Sequence, residues 1–311
     1  MTITVSPTVS TTVAIIGYGE VGRILAEDLR ASGVAVNAFD VKLLTQAGTP
    51  MRGHAAEFGV RLGDSAVQAA QGAALVISAV TASQAVAVAQ ACAPGLAAQA
   101  FFLDLNSASP GAKIAAAQIV NATGARYVEA AVMTSLPPYR IKVPLLLGGP
   151  DAAALLPLLQ RLGFAPKIAS DQLGVASATK MCRSVMIKGL EAMVIESFTA
   201  ARAYGVEDQV VASLQETFPG IDWEKQAAYF FQRVIEHGRR RAEEVQEVAK
   251  TVAEAGLTPW SASGTAQRQA WVADLADDGL FGIKGTAAFA HSADWRIEAD
   301  RILQRLKRAA A

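Results

Sequence analysis

A glycine-rich segment near the start of the chain, Gly17-Tyr18-Gly19-Glu20-Val21-Gly22, restricts the possible folds more than any other feature. It follows the β-branched run Val13-Ala14-Ile15-Ile16 and leads directly into a helical pattern over 23–29. In this context the first glycine permits a tight turn, the second lets a pyrophosphate approach the backbone, and the third lets the helix pack on the strand. Free N–H groups at the helix start would hold the phosphates. The segment therefore predicts a Rossmann domain that binds a dinucleotide through these six residues.

An acidic residue follows the second predicted strand at the spacing that this kind of site requires. Asp40 lies 18 residues after Gly22, where a carboxylate can accept hydrogen bonds from a ribose 2′-hydroxyl. This placement favours NAD over NADP. Two alternatives stay open: Asp40 only caps the turn that begins at Val41, or Lys42 accommodates a 2′-phosphate, so that NADP is also possible.

The rest of the chain predicts two domains, which also agrees with its 311 residues at about 150 residues per domain. From residue 12 to about 170, short β-branched runs alternate with alanine-rich helical stretches, which is typical of an α/β fold with a mostly parallel sheet. The predicted strands are 13–16, 35–39, 74–78, 101–103, 126–128 and 143–147. After residue 171 the strand patterns end, and long helices are expected over 173–204 and 223–255. We therefore predict an N-terminal tail (1–11), a Rossmann domain (12–171) and an all-helical domain for substrate binding and dimerisation (172–311).

Composition excludes several classes of partner. Apolar residues make up 52% of the chain, and 28 basic residues balance 28 acidic ones, so neither nucleic acid nor an anionic membrane is an expected partner. Cys92 and Cys182 lack metal-ligand spacing, so we expect no metal site. The first ten residues lack the pattern of a signal peptide, and no uncharged apolar run reaches the roughly 18 residues of a membrane span. These features predict a cytoplasmic protein with a small-molecule substrate.

Three more segments complete a pattern that covers nearly the whole chain. Val80-Thr81 follows the strand that ends at Ser78, residues 104–110 read D-L-N-S-A-S-P, and Lys180 lies in the segment 174–181. Together with the glycine-rich turn, they resemble the β-hydroxyacid dehydrogenase superfamily, which contains 3-hydroxyisobutyrate and 6-phosphogluconate dehydrogenases. The chain looks closest to a branch whose C-terminal domain resembles that of 6-phosphogluconate dehydrogenase. The resemblance implies that Val80 and Thr81 lie beneath the nicotinamide ribose, that Lys180 is catalytic, and that the helical domains pair in a homodimer.

The residues that would contact the substrate depart from the superfamily's pattern. Asn106 stands in place of the serine of its D-x-S-T-x-x-P motif and Ser107 in place of the threonine. The resemblance implies that Asn106 contacts the cofactor and Ser107 the substrate. Met133-Thr134-Ser135 replaces the Ser-Gly-Gly loop that embraces a substrate carboxylate, and Ser184 replaces the asparagine four residues after the lysine. These positions are expected to bind a substrate that the sequence does not identify.

The helix that contains Lys180 is unusually apolar. Only six of the 31 residues from Gly174 to Tyr204 are charged, so most of the helix must be buried between domains or subunits. Partial burial lowers the pKa of an ammonium group, which would let Lys180 exchange a proton near neutral pH. Ser177 and Ser184 share its helical face and could orient it or the substrate. The alternative is a lysine whose stem packs while its ammonium stays in water.

A basic segment in the helix over 223–255 supplies two further candidates. Arg241 lies in the apolar stripe of this helix with His237 four residues before it, whereas Arg239 and Arg240 each have a glutamate four residues on and are expected to be solvated ion pairs. A buried guanidinium requires an anion. Either a substrate carboxylate or phosphate, or an acidic residue of the core, would provide it. The other two histidines, His54 and His291, receive no role.

Taken together, these features predict an NAD(P)-dependent oxidoreductase that transfers a hydride between a nicotinamide and a hydroxyacid-like or other alcohol substrate, with Lys180 as acid and base. An imine reductase-like enzyme and a dinucleotide-binding protein without turnover are the alternatives. Retention of Lys180 argues against both, because the imine-reducing members of the superfamily replace the lysine and a protein without catalysis would not need it.

Overall fold

Among the residues that the structure describes, short strands in the first part of the chain form an eight-stranded sheet, and helices connect most of them. The computed structural model describes residues 11–286, 289–290 and 292–310, without the side chains of 309 and 310. Nearly all of the predicted N-terminal tail, as well as His291, therefore lies outside the described residues. The chain divides into two compact units, one ending at Met181 and the other beginning at Cys182.

The sheet of the first unit has the order β3-β2-β1-β4-β5-β6-β7-β8. Its strands are β1 Thr12–Ile16, β2 Ala35–Phe39, β3 Arg61–Leu62, β4 Leu75–Ser78, β5 Phe101–Asp104, β6 Arg126–Val132, β7 Pro144–Gly148 and β8 Ala165–Ser170. All neighbours pair in parallel except β6 and β7, which are antiparallel. The predicted α/β fold with a mostly parallel sheet is confirmed.

The structure contains two strands that the sequence pattern did not predict. β3 has only two residues, which is too short to produce an alternation of apolar and polar side chains. β8 is an edge strand with a single buried residue, so it lacks the apolar run by which a buried strand is recognised. The expectation that helices fill the gaps between the six predicted strands is therefore wrong at β3, and β8 is a further strand after the last predicted one.

Helices cover both faces of this sheet. They are α1 Glu20–Ala31, α2 Thr49–Phe58, α3 Ala66–Ala70, α4 Ala85–Cys92, α5 Pro110–Asn121 and α6 Ala152–Arg161. Successive residues of β1 point to opposite faces: Val13 and Ile15 join a core with Leu25 and Leu29 of α1, whereas Ala14 and Ile16 join a second core rich in alanine. The two cores fix the sheet between its helical layers.

The strand order changes direction between β1 and β4. These two strands are parallel neighbours, with Ile16 opposite Ser78, but the chain visits β2 and β3 on the other side of β1 before it reaches β4. In open α/β sheets a ligand binds at such a switch point, beside the carboxyl ends of the strands. The fold therefore places the glycine-rich turn, which follows β1, at the expected ligand position.

Within the described residues, the second unit contains helices and the turns that join them, and no strand. A long helix, α7 Val175–Tyr204, begins in the first unit and continues into the second. It is followed by α8 Glu207–Thr217, α9 Trp223–Glu254, α10 Trp260–Asp277 and α11 Trp295–Ala310. Aromatic side chains of α7, α9 and α11 form its core, including Phe198, Phe231 and Trp295. None of the helices within the described ranges combines the length and the apolarity that a bilayer crossing requires.

Candidate functional site

The three glycines of the turn after β1 have different surroundings. Gly17 has a φ of +96°, and a β-carbon there would lie 2.3 Å from the carbonyl oxygen of Ala79. A β-carbon at Gly22 would lie 2.1 Å from the carbonyl oxygen of Gly17. At Gly19, by contrast, no described atom outside the adjoining backbone lies within 4 Å of the position of a β-carbon. The chain's own packing therefore requires the first and third glycines, and the second faces open space.

This open space fits the pyrophosphate of a dinucleotide. α1 begins at Glu20, directly after Gly19, and no described side chain caps its first turn. The first N–H groups of a helix have no partner within the helix, so they are available to phosphate oxygens. Glu20 is exposed and Val21 is half-buried against the core, so both contribute backbone rather than buried polar side chains to this turn.

Asp40 accepts two backbone hydrogen bonds. The N–H of Tyr18 donates to its Oδ2 and the N–H of Lys42 to its Oδ1, both at 2.9 Å. The turn-capping alternative is thus present in the structure. It does not exclude the ribose, because each carboxylate oxygen has a second lone pair and Asp40 is only half-buried. Asp40 also ties the glycine-rich turn to the end of β2.

The side chain of Tyr18 belongs to the core of the domain. Its hydroxyl bonds to Nδ1 of His54 at 2.8 Å, and Nε2 of His54 bonds to Oε1 of Glu27 at 2.9 Å. Burial raises the pKa of Tyr18 to about 12. Only the backbone of Tyr18 is therefore left to contact a cofactor. No role was predicted for His54, which in the structure links this buried tyrosine to α1.

An asparagine amide joins the loops that follow β4 and β5. Oδ1 of Asn106 accepts the N–H of Val80 at 2.7 Å, and its Nδ2 donates to Oγ of Ser78 at 2.8 Å. Asn106 is buried, whereas Thr81, the next residue of the first loop, is exposed. Asn106 therefore shapes the loop that was predicted to pass beneath the nicotinamide ribose, and its direct contact with a cofactor stays a prediction.

A buried charge cluster supports the turn that carries Asn106 and Ser107. Asp104 accepts hydrogen bonds from the N–H of Asn106 at 2.8 Å, from Nζ of Lys113 at 2.9 Å and from the hydroxyl of Tyr127 at 2.7 Å. Burial and the neighbouring Asp104 hold the pKa of Tyr127 well above its usual range. Lys113 was not among the predicted site residues, although a single lysine in the alanine-rich pattern of α5 was a signal for it.

Lys180 contacts the residue that follows Asn106. Nζ of Lys180 donates to Oγ of Ser107 at 2.5 Å, and both residues are half-buried. The predicted base and one predicted substrate ligand thus meet, although 73 residues separate them in the sequence. Ser177, which was expected to orient Lys180, instead donates to Oε2 of Glu129 at 2.8 Å.

The loop that replaces the Ser-Gly-Gly motif follows β6. Because β6 runs parallel to β5, this loop leaves the sheet at the same edge as the turn that carries Ser107. The N–H of Met133 donates to the carbonyl oxygen of Pro144 at 3.1 Å, while Thr134 and Ser135 are exposed. Two hydroxyl groups are therefore accessible where the superfamily has glycines.

The other three predicted substrate ligands, Ser184, His237 and Arg241, lie in the second unit. Nε of Arg241 donates to Oε2 of Glu191 at 3.1 Å, and its terminal amino group contacts the same carboxylate. An acidic residue of the core therefore supplies the anion, as in one of the two alternatives. Ser184 is buried, and burial lowers the pKa of His237. A direct contact of these residues with substrate stays a prediction.

The two neighbouring arginines differ in their partners. Arg240 pairs with Glu244 at 3.1 Å, as the spacing of four residues predicts. The pair expected between Arg239 and Glu243 is wrong, because Arg239 binds Asp274 and Asp277 of α10, each at 2.7 Å. Two carboxylates on the neighbouring helix offer more attraction than one glutamate on the same helix. Within the described ranges, no group of histidine, cysteine and acidic residues could hold a metal ion.

Segments of both units match known protein families. Residues 12–163 match the family described as the NAD binding domain of 6-phosphogluconate dehydrogenase. Residues 201–272 match a domain of unknown function, DUF1932. The first match covers the strands and turns that form the open site at Gly19, and the second covers α8, α9 and part of α10.

Three known proteins are similar over most of the chain. A conserved hypothetical protein from Sinorhizobium meliloti 1021 has a crystal structure that is 35% identical, with a TM-score of 0.74 over 96% of this chain and 97% of that one. The 3-hydroxyisobutyrate dehydrogenase of Pseudomonas aeruginosa is 26% identical over 68% of this chain and 72% of that protein. The structure of the 3-hydroxyisobutyrate dehydrogenase of Mycobacterium tuberculosis has a TM-score of 0.69 over 90% of this chain and 98% of that one, at 19% identity. At that identity the likeness concerns the fold alone.

Proposed function

Because this chain belongs to the 3-hydroxyacid dehydrogenase superfamily, with an NAD(P)-binding Rossmann domain and a helical C-terminal part, we propose that it is a dehydrogenase or reductase that acts on a small alcohol or its carbonyl compound. The substrate is a hydroxyacid or a related alcohol. Lys180 is the acid and base of the reaction, and Ser107 holds it in place.

One observation carries the proposal: the contact of 2.5 Å between Nζ of Lys180 and Oγ of Ser107. Ser107 follows β5, and β5 neighbours β4, which neighbours β1 and its glycine-rich turn. An amine that can exchange a proton thus contacts a residue in the same domain as the dinucleotide turn. Both Ser107 and this turn follow the carboxyl ends of parallel strands. A lysine that served only packing would not need a serine hydroxyl as its partner.

The cofactor and the residues of the site carry different parts of the proposed reaction. The bound nicotinamide supplies the acceptor or donor of the hydride. In the oxidation direction Lys180 takes the proton of the substrate hydroxyl, and in the reduction direction it returns a proton to the carbonyl oxygen. Because Nζ of Lys180 donates to Oγ of Ser107, the Ser107 proton can point to the same substrate oxygen. The serine thereby orients both the lysine and the substrate.

The substrate loop supports a substrate unlike that of the superfamily's best-known members. A backbone with two glycines can wrap closely around a carboxylate, whereas Met133-Thr134-Ser135 offers two exposed hydroxyls and a larger apolar side chain. We infer that the substrate presents hydroxyl or carbonyl oxygens at this loop. The relative from Pseudomonas aeruginosa supports a small hydroxyacid skeleton.

A substrate screen tests the proposal. Purified protein is incubated with NAD or NADP and a panel of hydroxyacids, sugar acids and aryl alcohols, and in the reverse direction with the matching carbonyl compounds and with cyclic imines. We expect turnover with an alcohol or its carbonyl compound. Turnover confined to imines would replace the proposal with imine reduction. A melting temperature that rises with dinucleotide, without turnover of any compound, would indicate a binding protein.

A further inference from the structure

Two fully buried carboxylates lie side by side on neighbouring strands of the sheet. Asp104 ends β5 and Glu129 lies in β6, and the two residues are register partners. Partners in a parallel ladder point to the same face of the sheet, so these two acids occupy one region of the core. Burying one carboxylate is costly, and burying two beside each other is costlier. The arrangement therefore calls for a function that apolar residues could not provide.

Each carboxylate binds one of the two segments that bring Ser107 and Lys180 together. Asp104 accepts the N–H of Asn106, the residue just before Ser107, and it is itself held by Lys113 and Tyr127. Its hydrogen bonds therefore fix the turn that presents the serine hydroxyl. They also balance its charge, because Lys113 supplies a buried ammonium at 2.9 Å.

Glu129 binds the second of these segments, the beginning of α7, which carries Lys180. Its Oε1 accepts the N–H groups of Gly174 and Ala176 at 2.9 and 3.0 Å, and its Oε2 accepts the hydroxyl of Ser177 at 2.8 Å. These donors form the first turn of the helix, where backbone N–H groups have no partner within the helix and the dipole favours an anion. Lys180 lies one turn further along.

The surrounding backbone is built around this carboxylate. A β-carbon at Gly148, the register partner of Glu129 on β7, would lie 2.3 Å from Oε1 of Glu129. Gly174 has a φ of +92°, a conformation that glycine adopts without strain, and its N–H points to the same oxygen. Two glycines thus provide the room and the turn that let a strand residue bind a helix start.

We propose that Glu129 is a positioning residue for the reaction: by binding the first turn of α7 it sets the place of Lys180 against Ser107, which Asp104 fixes from the neighbouring strand. This inference rests on the proposed function of Lys180. A helix rises 1.5 Å per residue, so Lys180 lies only about one turn beyond the residues that Glu129 binds, and a displaced first turn would displace Lys180 with it. Misplacement of a catalytic group by about 1 Å can lower a rate about 100-fold.

Three substitutions at Glu129 test the proposal. In Glu129→Gln the amide oxygen can still accept both N–H groups, and the new amino group can donate to Ser177, whose proton turns to the carbonyl oxygen of Gly174, 3.1 Å away. We expect this variant to keep kcat within about threefold, as a conservative rescue. Glu129→Asp shortens the side chain by about 1.5 Å and Glu129→Ala removes it. Both should lower kcat about 10- to 100-fold, with the dissociation constant for the dinucleotide nearly unchanged.

A variant at the other end of β6 provides the matched control. Asp151→Asn removes the negative charge from the ion pair with Arg126, which begins the same strand. It should lower the melting temperature without changing kcat or the pH profile. Lys180→Arg should abolish one limb of the pH profile of kcat. In Glu129→Asp, by contrast with the control, this limb should shift to a different pH. Wild-type kcat and an unmoved limb in Glu129→Asp and Glu129→Ala would overturn the proposal and leave Glu129 as a fold-stabilising residue.

A measurement without turnover separates this proposal from the proposed function. Lysines are reductively methylated with ¹³C-formaldehyde, and the Lys180 resonance, assigned by its loss in Lys180→Arg, is titrated in the dinucleotide-free protein. The midpoint should shift in Glu129→Asp and stay at the wild-type value in Glu129→Gln and Asp151→Asn. An unshifted midpoint in Glu129→Asp counts against positioning even if the enzyme is active. A shifted midpoint in a protein without any turnover supports positioning and counts against the proposed function alone.

Discussion

At the scale of single residues, Asp40 is expected to decide which of the two cofactors binds more tightly. Its carboxylate is held between the N–H groups of Tyr18 and Lys42, so it can accept a ribose hydroxyl without moving, and it would repel a 2′-phosphate. We expect NAD to bind more tightly than NADP. Asp40→Ala should weaken NAD binding about tenfold and bring the dissociation constants for NAD and NADP closer together. Titration of each cofactor into the wild type and the variant measures these dissociation constants. Substitution of the exposed Asp64 by alanine is the control. Tighter NADP binding by the wild type would show that Asp40 has another role.

Lys180 is the residue on which the proposed catalysis depends. Arginine keeps the positive charge but stays protonated at any working pH, so it cannot exchange the proton. Both Lys180→Arg and Lys180→Ala should therefore lower kcat about 100-fold or more and leave dinucleotide affinity nearly unchanged. Single-turnover kinetics measures the chemical step, and the exposed Lys142→Ala serves as control. Near-wild-type turnover in either Lys180 variant would make Lys180 a packing residue.

The residues that spacing can identify are those whose task is local. Gly17, Gly19 and Gly22 were predictable because a strand, a tight turn and a helix follow one another in the sequence, and each glycine meets the condition expected of it. Glu129 and His54 were not predictable, because their partners come from distant segments. Glu129 lies 45 residues before the Gly174 whose N–H it accepts. A lone charge in an apolar strand is a signal of importance, but it does not name the partner.

At the scale of helices and strands, a buried ion pair joins α7 and α9. Arg241 and Glu191 are both buried, and removal of one partner leaves an uncompensated charge in the core. Arg241→Met and Glu191→Met should each lower the free energy of unfolding by about 3–5 kcal/mol, and the double variant should lose less than the sum. Urea denaturation measures these values.

A surface variant and a kinetic measurement complete this test. Arg239→Met breaks an exposed pair with Asp274 and should change the free energy of unfolding by less than about 1 kcal/mol. If Arg241 binds the substrate instead, Arg241→Met keeps its stability and raises KM for an anionic substrate more than for an uncharged analogue. The two readings of Arg241 thus differ in the quantity that changes.

Elements were predictable from sequence where burial gives them a continuous pattern. β1, β2 and β4 are short apolar runs, and α7 and α9 were expected within two residues of their observed bounds. The failures, β3 and β8, lie at the two edges of the sheet. Edge strands are held by hydrogen bonds to one neighbour rather than by burial on both faces, so their composition resembles that of loops.

At the scale of the whole molecule, the composition of α7 predicts self-association. Met186 and Met193 lie seven residues apart on the same face of this helix and are 71% and 60% exposed in the single chain. Large apolar side chains repeated along an exposed helix face are typical of an interface. Homo-oligomers with twofold symmetry are the commonest arrangement, and in them one apolar face covers its own copy. We therefore expect at least a dimer at micromolar concentration.

Sedimentation velocity measures this association, and two substitutions locate it. Met186→Asp with Met193→Asp places two charges on the proposed interface, so the double variant should sediment as a monomer. Val41, which is 70% exposed in the first unit and lies outside α7, provides the control: Val41→Asp should keep the wild-type sedimentation coefficient. A wild type that sediments as a monomer would contradict the prediction. A double aspartate variant that stays associated would place the interface on another surface, because a charged pair buried at the centre of a symmetric contact meets its own copy and repels it.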